Sequence, residues 1–370
     1  MKRSFIREIL ENIDNTTISF AGGLPDDSLF PHKKLQQCAN KVLQEQNTLQ
    51  YSTSTGLDEL KQKIASFYTK EGFDTTKDNI MITSGSQQAL DIIARYHQGK
   101  SITTEAPSYL GAMNIFDLNN ITQDPLPLKK TGIHLKSFQK SFSQTKLAYL
   151  IPDFQNPSSK SYTQTKRENI ANIILENKGI LIEDAPYSDL YFEHKNQSIS
   201  SMLPNNSYHL GSFSKSLAPA LRIGYIRASQ KLLKPLIAYK ETMDLHTNGI
   251  AQAILNEYLK DSKSYKIHTL KLREIYHKKM LFFAKSLDEI LPQFKYTKPK
   301  GGMFIYGKIQ NINSVNLVKR CLKKGVVFVP GAEFYTNKAN LNEIRFNFTH
   351  CTKDEVKKGL TIISDTIKEF

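Results

Sequence analysis

Cysteine is scarce in this sequence: Cys38, Cys321 and Cys351 are the only three, an odd number at wide spacings. That argues against a disulfide framework and offers no paired-ligand pattern for zinc, so no metal is expected and a reducing, cytoplasmic compartment fits best. Long apolar runs are also missing. No stretch approaches the roughly 20 residues needed to cross a bilayer. The opening segment MKRSFIREILEN starts basic, but Arg7, Glu8 and Glu11 interrupt the apolar core that a signal peptide needs. A soluble, unprocessed protein with no membrane partner is the expectation. Internal repeats, low-complexity tracts and Gly/Ser linkers are absent too, which excludes a repeat array.

Acidic residues are the minority: 35 Asp and Glu face 50 Lys and Arg, a formal net charge of +15. Such a balance by itself points toward nucleic acid or an anionic membrane surface. The distribution argues otherwise. Lysines are scattered over the whole length and greatly outnumber arginines, and Asn and Ile are also frequent, a compositional bias rather than a binding stripe, so no nucleic-acid partner is expected. Hydrophobic residues at 39% and charged residues at 23% describe a folded chain rather than a disordered one. At 370 residues the chain exceeds the size of one hydrophobic core, so a large and a smaller domain with a cleft are expected.

Along the chain, Leu57 to Tyr68 carries Leu60, Ile64, Phe67 and Tyr68 at helical spacing and breaks at Gly72. A short apolar strand, Asn79 to Thr83, leads through Ser84-Gly85-Ser86 into a second helical pattern. Further apolar runs at Leu147 to Ile151, Gly179 to Glu183, Tyr208 to Gly211 and Arg222 to Arg227 alternate with helix-like segments. This order predicts an α/β fold, a mostly parallel sheet covered by helices on both faces. Gly249 to Leu287 reads as a long helical connection, and strands at Val326 to Val329 and Glu343 to Phe348 with a helix from Lys353 read as a smaller α+β unit. Ligands of open α/β sheets bind beyond the strands' carboxyl ends. Asn156, Asp184 and Lys215 all follow apolar strands there.

The segment Ser212-Phe213-Ser214-Lys215 followed by Arg222-Ile223-Gly224 joins one lysine to hydroxyls and an arginine. That set suits a phosphorylated aldehyde: the amine forms a Schiff base with a carbonyl, and hydroxyls and a guanidinium donate to phosphate oxygens. The segment resembles the lysine motif of the class I/II pyridoxal-phosphate-dependent aminotransferases, and the chain is similar to that family in order over nearly its whole length. Ser19-Phe20-Ala21-Gly22-Gly23-Leu24-Pro25 and Ile151-Pro152-Asp153-Phe154-Gln155-Asn156-Pro157 resemble the 2-aminoadipate, kynurenine and aromatic aminotransferase subgroup.

The resemblance implies an aspartate aminotransferase-like fold of type I. It places an N-terminal arm and part of the small domain in residues 1–45, the large cofactor-binding domain with its connecting helix in 46–285, and the small domain in 286–370. Pyridoxal 5'-phosphate is the implied cofactor, bound to Lys215. Ser86, Gln87, Ser212, Ser214 and Arg222 would receive its phosphate, where free N–H groups open a helix. Asp184 would pair with the pyridine nitrogen, keeping it protonated and the ring a strong electron sink. Asn156 and Tyr187 would hydrogen-bond the phenolic oxygen, and Tyr109 would stack on the ring. Tyr51 would reach the phosphate of a neighbouring subunit, which implies a homodimer with shared active sites.

Arg345 matches the bidentate clamp for the substrate carboxylate, a task guanidinium serves better than ammonium. On residues alone, a solvent-facing strand arginine looks the same. Gly23 and Asn156 join it at the substrate, and Arg7, in the N-terminal helix, matches a residue that meets acidic substrate side chains. Ser158-Ser159-Lys160 departs from the family's usual Thr-Gly after Asn156-Pro157, which leaves the loop shape and substrate choice open. The expected reaction is transfer of an amino group from an L-amino acid (2-aminoadipate, aromatic or branched aliphatic) to a 2-oxo acid such as 2-oxoglutarate. The alternatives are a lyase, decarboxylase or cyclase on the same fold, and a non-catalytic sensor.

Overall fold

The computed structural model describes residues 16–337 and 339–370. Among them run fourteen strands: β1 Ile18–Ser19, β2 Ile80–Thr83, β3 Ser101–Ala106, β4 Thr122–Lys129, β5 Gly132–Ile133, β6 Leu147–Leu150, β7 Ile180–Asp184, β8 Ser207–Ser212, β9 Gly224–Arg227, β10 Phe294–Tyr296, β11 Phe304–Ile309, β12 Val326–Val327, β13 Val329–Pro330 and β14 Glu343–Asn347. An eight-stranded sheet has the order β2-β9-β8-β7-β6-β3-β4-β5. Its pairings from β8 through β4 are parallel; β9 and β5 run against the rest.

The central strands are apolar throughout because both faces are covered. On β6, Leu147 and Tyr149 pack with the helix Ser86–Tyr96 through Ala89, Leu90 and Ile93. The intervening Ala148 and Leu150 pack on the opposite face against Phe138, Phe142, Ile170 and Ile174. Period-two alternation thus serves two helical layers. The sheet's strands and helices alternate along the chain, as the sequence pattern predicts.

A four-stranded antiparallel sheet, β10-β11-β14-β13, forms a second core. Ile305 and Ile309 of β11 and Ile344 and Phe346 of β14 pack there with Phe283 and Leu287 of the helix Ser262–Ile290 and Leu360 and Ile363 of the helix Lys353–Ile367. The N-terminal segment joins this unit: β1 pairs in parallel with β12, and Phe20 meets Phe283 and Phe346 edge-on.

The stretch Gly249 to Leu287 is not continuous. It forms two helices, Gly249–Tyr258 and Ser262–Ile290, and Asp261 caps the second by accepting from the Ser264 N–H at 3.1 Å. The strand expected from Arg222 begins only at Gly224, since Arg222 sits in the left-handed region with φ 54° at the end of a short turn. No helix among the described residues is long and apolar enough to cross a membrane.

Candidate active site

The carboxyl ends of β2, β3, β6, β7 and β8 open on a cavity of about 710 Å3 whose far wall comes from β11, β14 and the Gly22-Gly23 segment. Gly23, Ser86, Gln87, Tyr109, Asn156, Asp184, Tyr187, Ser212, Ser214, Lys215, Arg222 and Arg345 all line it.

One end is built for an anion. Gly85, with φ +83°, turns the chain from β2 into the helix Ser86–Tyr96, whose first residues, Ser86 and Gln87, line the cavity; the first N–H groups of a helix have no partner within it. A Cβ on Gly85 would lie 2.6 Å from Arg222 Nη2, so only glycine leaves room for the guanidinium. Arg222 Nη2 donates to the Ser84 carbonyl at 3.1 Å, and Nη1 lies 3.5 Å from Ser214 Oγ. Ser212 Oγ accepts from the Ser214 N–H at 3.2 Å. The Ser86 hydroxyl is buried with no hydrogen-bond partner among the described residues. Behind the turn, the fully buried Lys240 ammonium donates to Gln88 Oε1, Asp244 and Thr247, and Gln88 Oε1 also accepts from the Ser84 N–H at 2.8 Å.

Asp184 closes β7 and is 2% exposed. Its Oδ2 accepts from the Tyr149 hydroxyl at 2.8 Å, while buried Oδ1 has no partner among the described residues. Burial pushes its carboxyl up to about 7, against which the Tyr149 hydrogen bond pulls down. A cationic ring N–H would satisfy that oxygen and restore the ionised form. Lys215 Nζ donates to the Gly23 carbonyl at 2.8 Å, bridging the two walls. The Tyr109 hydroxyl donates to Gln87 Oε1 at 3.0 Å, and a Cβ on Gly111 would lie 2.6 Å from the Tyr109 ring.

A polar chain crosses the cavity at the other end. Asn156 Nδ2 donates to the Tyr187 hydroxyl at 3.2 Å, and Asn156 Oδ1 accepts from Arg345 Nη1 at 2.8 Å. Arg345 Nη2 donates to the Ala21 carbonyl, and the guanidinium lies over the rings of Phe304 at 4.2 Å and Phe334 at 5.0 Å. Arg345 is 2% exposed, so this strand arginine faces the cleft rather than solvent. Burial lowers its pKa to about 10, which leaves it charged at neutral pH. Burial raises the Tyr187 phenol well above its ordinary value.

Tyr51 lies outside the cavity, 79% exposed, edge-on to His246. Arg7 lies outside the described residues. Two residues that sequence reasoning passed over belong to the arrangement. Phe304 underlies Arg345, and Tyr149 holds Asp184. Tyr149 carried a signal: a phenol in an otherwise aliphatic strand, paired with Ile182 two residues before Asp184.

A lysine, a buried carboxylate and an anion-receiving helix start beyond the ends of parallel strands define a crevice for a phosphorylated, cationic aromatic ligand. The family described as aminotransferase class I and II matches residues 17–363. The aromatic-amino-acid aminotransferase 1 of Thermococcus litoralis is 33% identical, covering 100% of this chain and 92% of that protein. The structure of the alpha-aminoadipate aminotransferase of Thermus thermophilus, complexed with N-(5'-phosphopyridoxyl)-L-leucine, superposes with a TM-score of 0.92 at 30% identity, covering 100% of this chain and 95% of that one. The kynurenine aminotransferase of Pyrococcus horikoshii gives 0.93 at 31% identity, with coverages of 100% and 95%. The chain belongs to the class I and II aminotransferases. It is a pyridoxal-phosphate-dependent enzyme of fold type I, and the unpartnered Asp184 and Ser86 oxygens fit that cofactor.

Proposed function

We propose that the enzyme moves the amino group of an aromatic, branched aliphatic or 2-aminoadipate-type L-amino acid to a 2-oxo acid such as 2-oxoglutarate, in two half-reactions at one site. The observation that carries this reading is the Lys215 amine and the Arg345 guanidinium facing one cavity, with Asp184 buried at its floor. Bound pyridoxal 5'-phosphate supplies an aldehyde that takes up the amino group and a protonated ring that accepts the electrons left at the substrate Cα.

This chain's own groups do the rest. Ser86, Gln87, Ser212, Ser214 and Arg222 receive the phosphate. Asp184 holds the ring proton, and Tyr109 covers the ring face. Asn156 and Tyr187 donate to the phenolic oxygen. Arg345 clamps the substrate carboxylate, and Gly23 leaves the approach open: a Cβ there would sit 3.3 Å from Phe304. With cofactor and substrate bound, Lys215 Nζ would be the group that takes the proton from the substrate Cα and holds it for return. The division at residues 45 and 285 makes Lys215 and Arg345 contributions of different domains. The exposed Tyr51 reaches the phosphate site of a second subunit, so the working unit is a homodimer. Arg7 meets an acidic side chain where the donor has one.

A donor panel tests the reading. Purified enzyme mixed with one amino acid and no oxo acid releases one equivalent of the corresponding 2-oxo acid per site and stops, then resumes when 2-oxoglutarate is added. Release of ammonia or carbon dioxide instead would assign a lyase or decarboxylase reaction.

A further inference from the structure

Glu105 lies near the end of β3, 1% exposed, outside the cavity lining. Its carboxylate accepts from the Tyr162 hydroxyl at 2.7 Å, from Gln155 Nε2 at 3.1 Å and from the Ile151 N–H at 3.3 Å. A carboxylate without those donors would be costly at such burial. Gln155 is itself fully buried, and its amide has no freedom left. Nε2 also donates to the Pro107 carbonyl at 2.8 Å, and Oε1 accepts from the Ser158 N–H at 2.8 Å. The next residue is Asn156, whose side chain links Arg345 to Tyr187.

We infer that Glu105 is a positioning residue for the transamination: by fixing the Gln155 amide it sets the loop that aims Asn156 at Arg345 and Tyr187. The inference rests on the roles proposed above for Asn156 and Arg345. The donor inventory makes it specific. Gln155 Nε2 and the Ile151 N–H can only donate, whereas the Tyr162 hydroxyl can turn to accept. A glutamine at position 105 therefore keeps the acceptor for Gln155 and Ile151 with its oxygen and meets Tyr162 with its amide, at the cost of only the Tyr162 proton's acceptor. Burial, which pushes the Glu105 carboxyl up to about 8, already favours a neutral group there. A leucine takes the acceptor from three buried donors, the Tyr162 hydroxyl, the Ile151 N–H and one Gln155 N–H, and leaves the Gln155 amide held only by Pro107 and Ser158.

The test is a double-mutant cycle on the full chain with saturating cofactor, using Glu105→Leu, Glu105→Gln, Asn156→Ala and Glu105→Leu/Asn156→Ala. Misplacement of a group that orients the substrate lowers kcat/KM by about 10- to 100-fold. Glu105→Leu is expected to fall in that range mainly through a raised amino-acid KM, with the dissociation constant for pyridoxal 5'-phosphate, titrated into cofactor-free protein, within about twofold. Glu105→Gln stays within about threefold of wild type, and in the Asn156→Ala background Glu105→Leu has under about a threefold effect. Gln155→Leu cuts the same link from the other side and gives the same non-additivity, which covers a Glu105→Leu chain that does not fold. An equal loss in both backgrounds, or a Glu105→Gln enzyme as poor as Glu105→Leu, overturns the inference and leaves the proposed function standing. An Asn156→Ala enzyme with unchanged kcat/KM overturns the inference together with the role proposed for Asn156, whereas failure of amino-group transfer itself shows in the donor panel.

Discussion

The floor and the far wall of the cavity are held in different ways. Asp184 takes its hydrogen bond from Tyr149 on the neighbouring strand, 35 positions away, and the anion-receiving turn is pinned from behind by Gln88 and Lys240. Arg345 depends on Asn156 and Ala21, 189 and 324 positions away, so its place exists only when the two sheets and the N-terminal segment meet. The floor is therefore set by one sheet and the wall by an assembly. Substitutions at the floor should alter the cofactor and the chemical step, and substitutions at the wall should alter the substrate.

The largest expected effect lies between the two, at Lys215. General acid–base catalysis contributes about 100- to 10,000-fold, and Lys215→Ala should lose at least that much in kcat measured by 2-oxo acid release. An enzyme that kept a tenth of its rate would mean that another group moves the Cα proton. Asp184→Asn comes next, lowering kcat on the order of 100-fold, the scale of breaking a buried charge pair, and weakening cofactor binding at little change in KM. Arg345→Lys should do the reverse. Replacing a bidentate fork by a point charge removes about 1.5–3 kcal/mol, read as a raised KM for both amino acid and oxo acid with the cofactor dissociation constant unmoved. If both variants shift the same constant, the contrast between floor and wall is wrong.

The contrast also explains what the sequence disclosed. The strand, Ser84-Gly85-Ser86 turn and helix were legible because a short apolar run, a glycine and a 3.6-residue period are local signals. Lys215 was legible from its own neighbours. Arg345 was not legible by itself: alternation along Glu343–Asn347 puts it opposite Ile344 and Phe346, but a strand's second face can meet solvent or another wall, and only the fold decides. Phe304 is missed for the same reason, since its use is to underlie a side chain on a paired strand. The break between the helices ending at Tyr258 and starting at Ser262 lacks Pro and Gly, yet the Asp261 cap three residues before Ser264 is a start signal that helical composition masked.

The floor's electrostatics give a smaller effect with a definite sign. In cofactor-free protein, burial raises Asp184 from 3.8 to about 7. The folded state thus binds a proton that the unfolded state has released, and this stability, complete below about pH 4, is lost as pH rises through 7. Asp184→Asn removes the dependence. Measured by denaturant unfolding from pH 5 to 8, the variant should gain on wild type with rising pH by on the order of 2 kcal/mol. Saturating cofactor should abolish that gain, because a ring cation keeps the wild-type carboxylate paired. A difference independent of pH in the cofactor-free protein would show that Asp184 ionises freely.

The smallest effect tests where the floor ends. Tyr51 is 79% exposed with its ring edge-on to His246, and the Ser52 N–H donates to His246 Nε2 at 3.2 Å, so the segment that presents Tyr51 is tethered while its hydroxyl projects outward. If that hydroxyl completes the anion site of a second subunit, Tyr51→Phe removes one hydrogen bond, about 0.5–1.5 kcal/mol. Cofactor binding should then weaken by a few-fold, with the amino-acid KM unchanged. Mixing Tyr51→Phe with Lys215→Ala chains separates the readings: in a shared-site dimer, the mixed species places the intact Lys215 beside the wild-type tyrosine, and its cofactor affinity at that site returns to the wild-type value. Affinity that stays at the Tyr51→Phe value would confine the floor to a single chain.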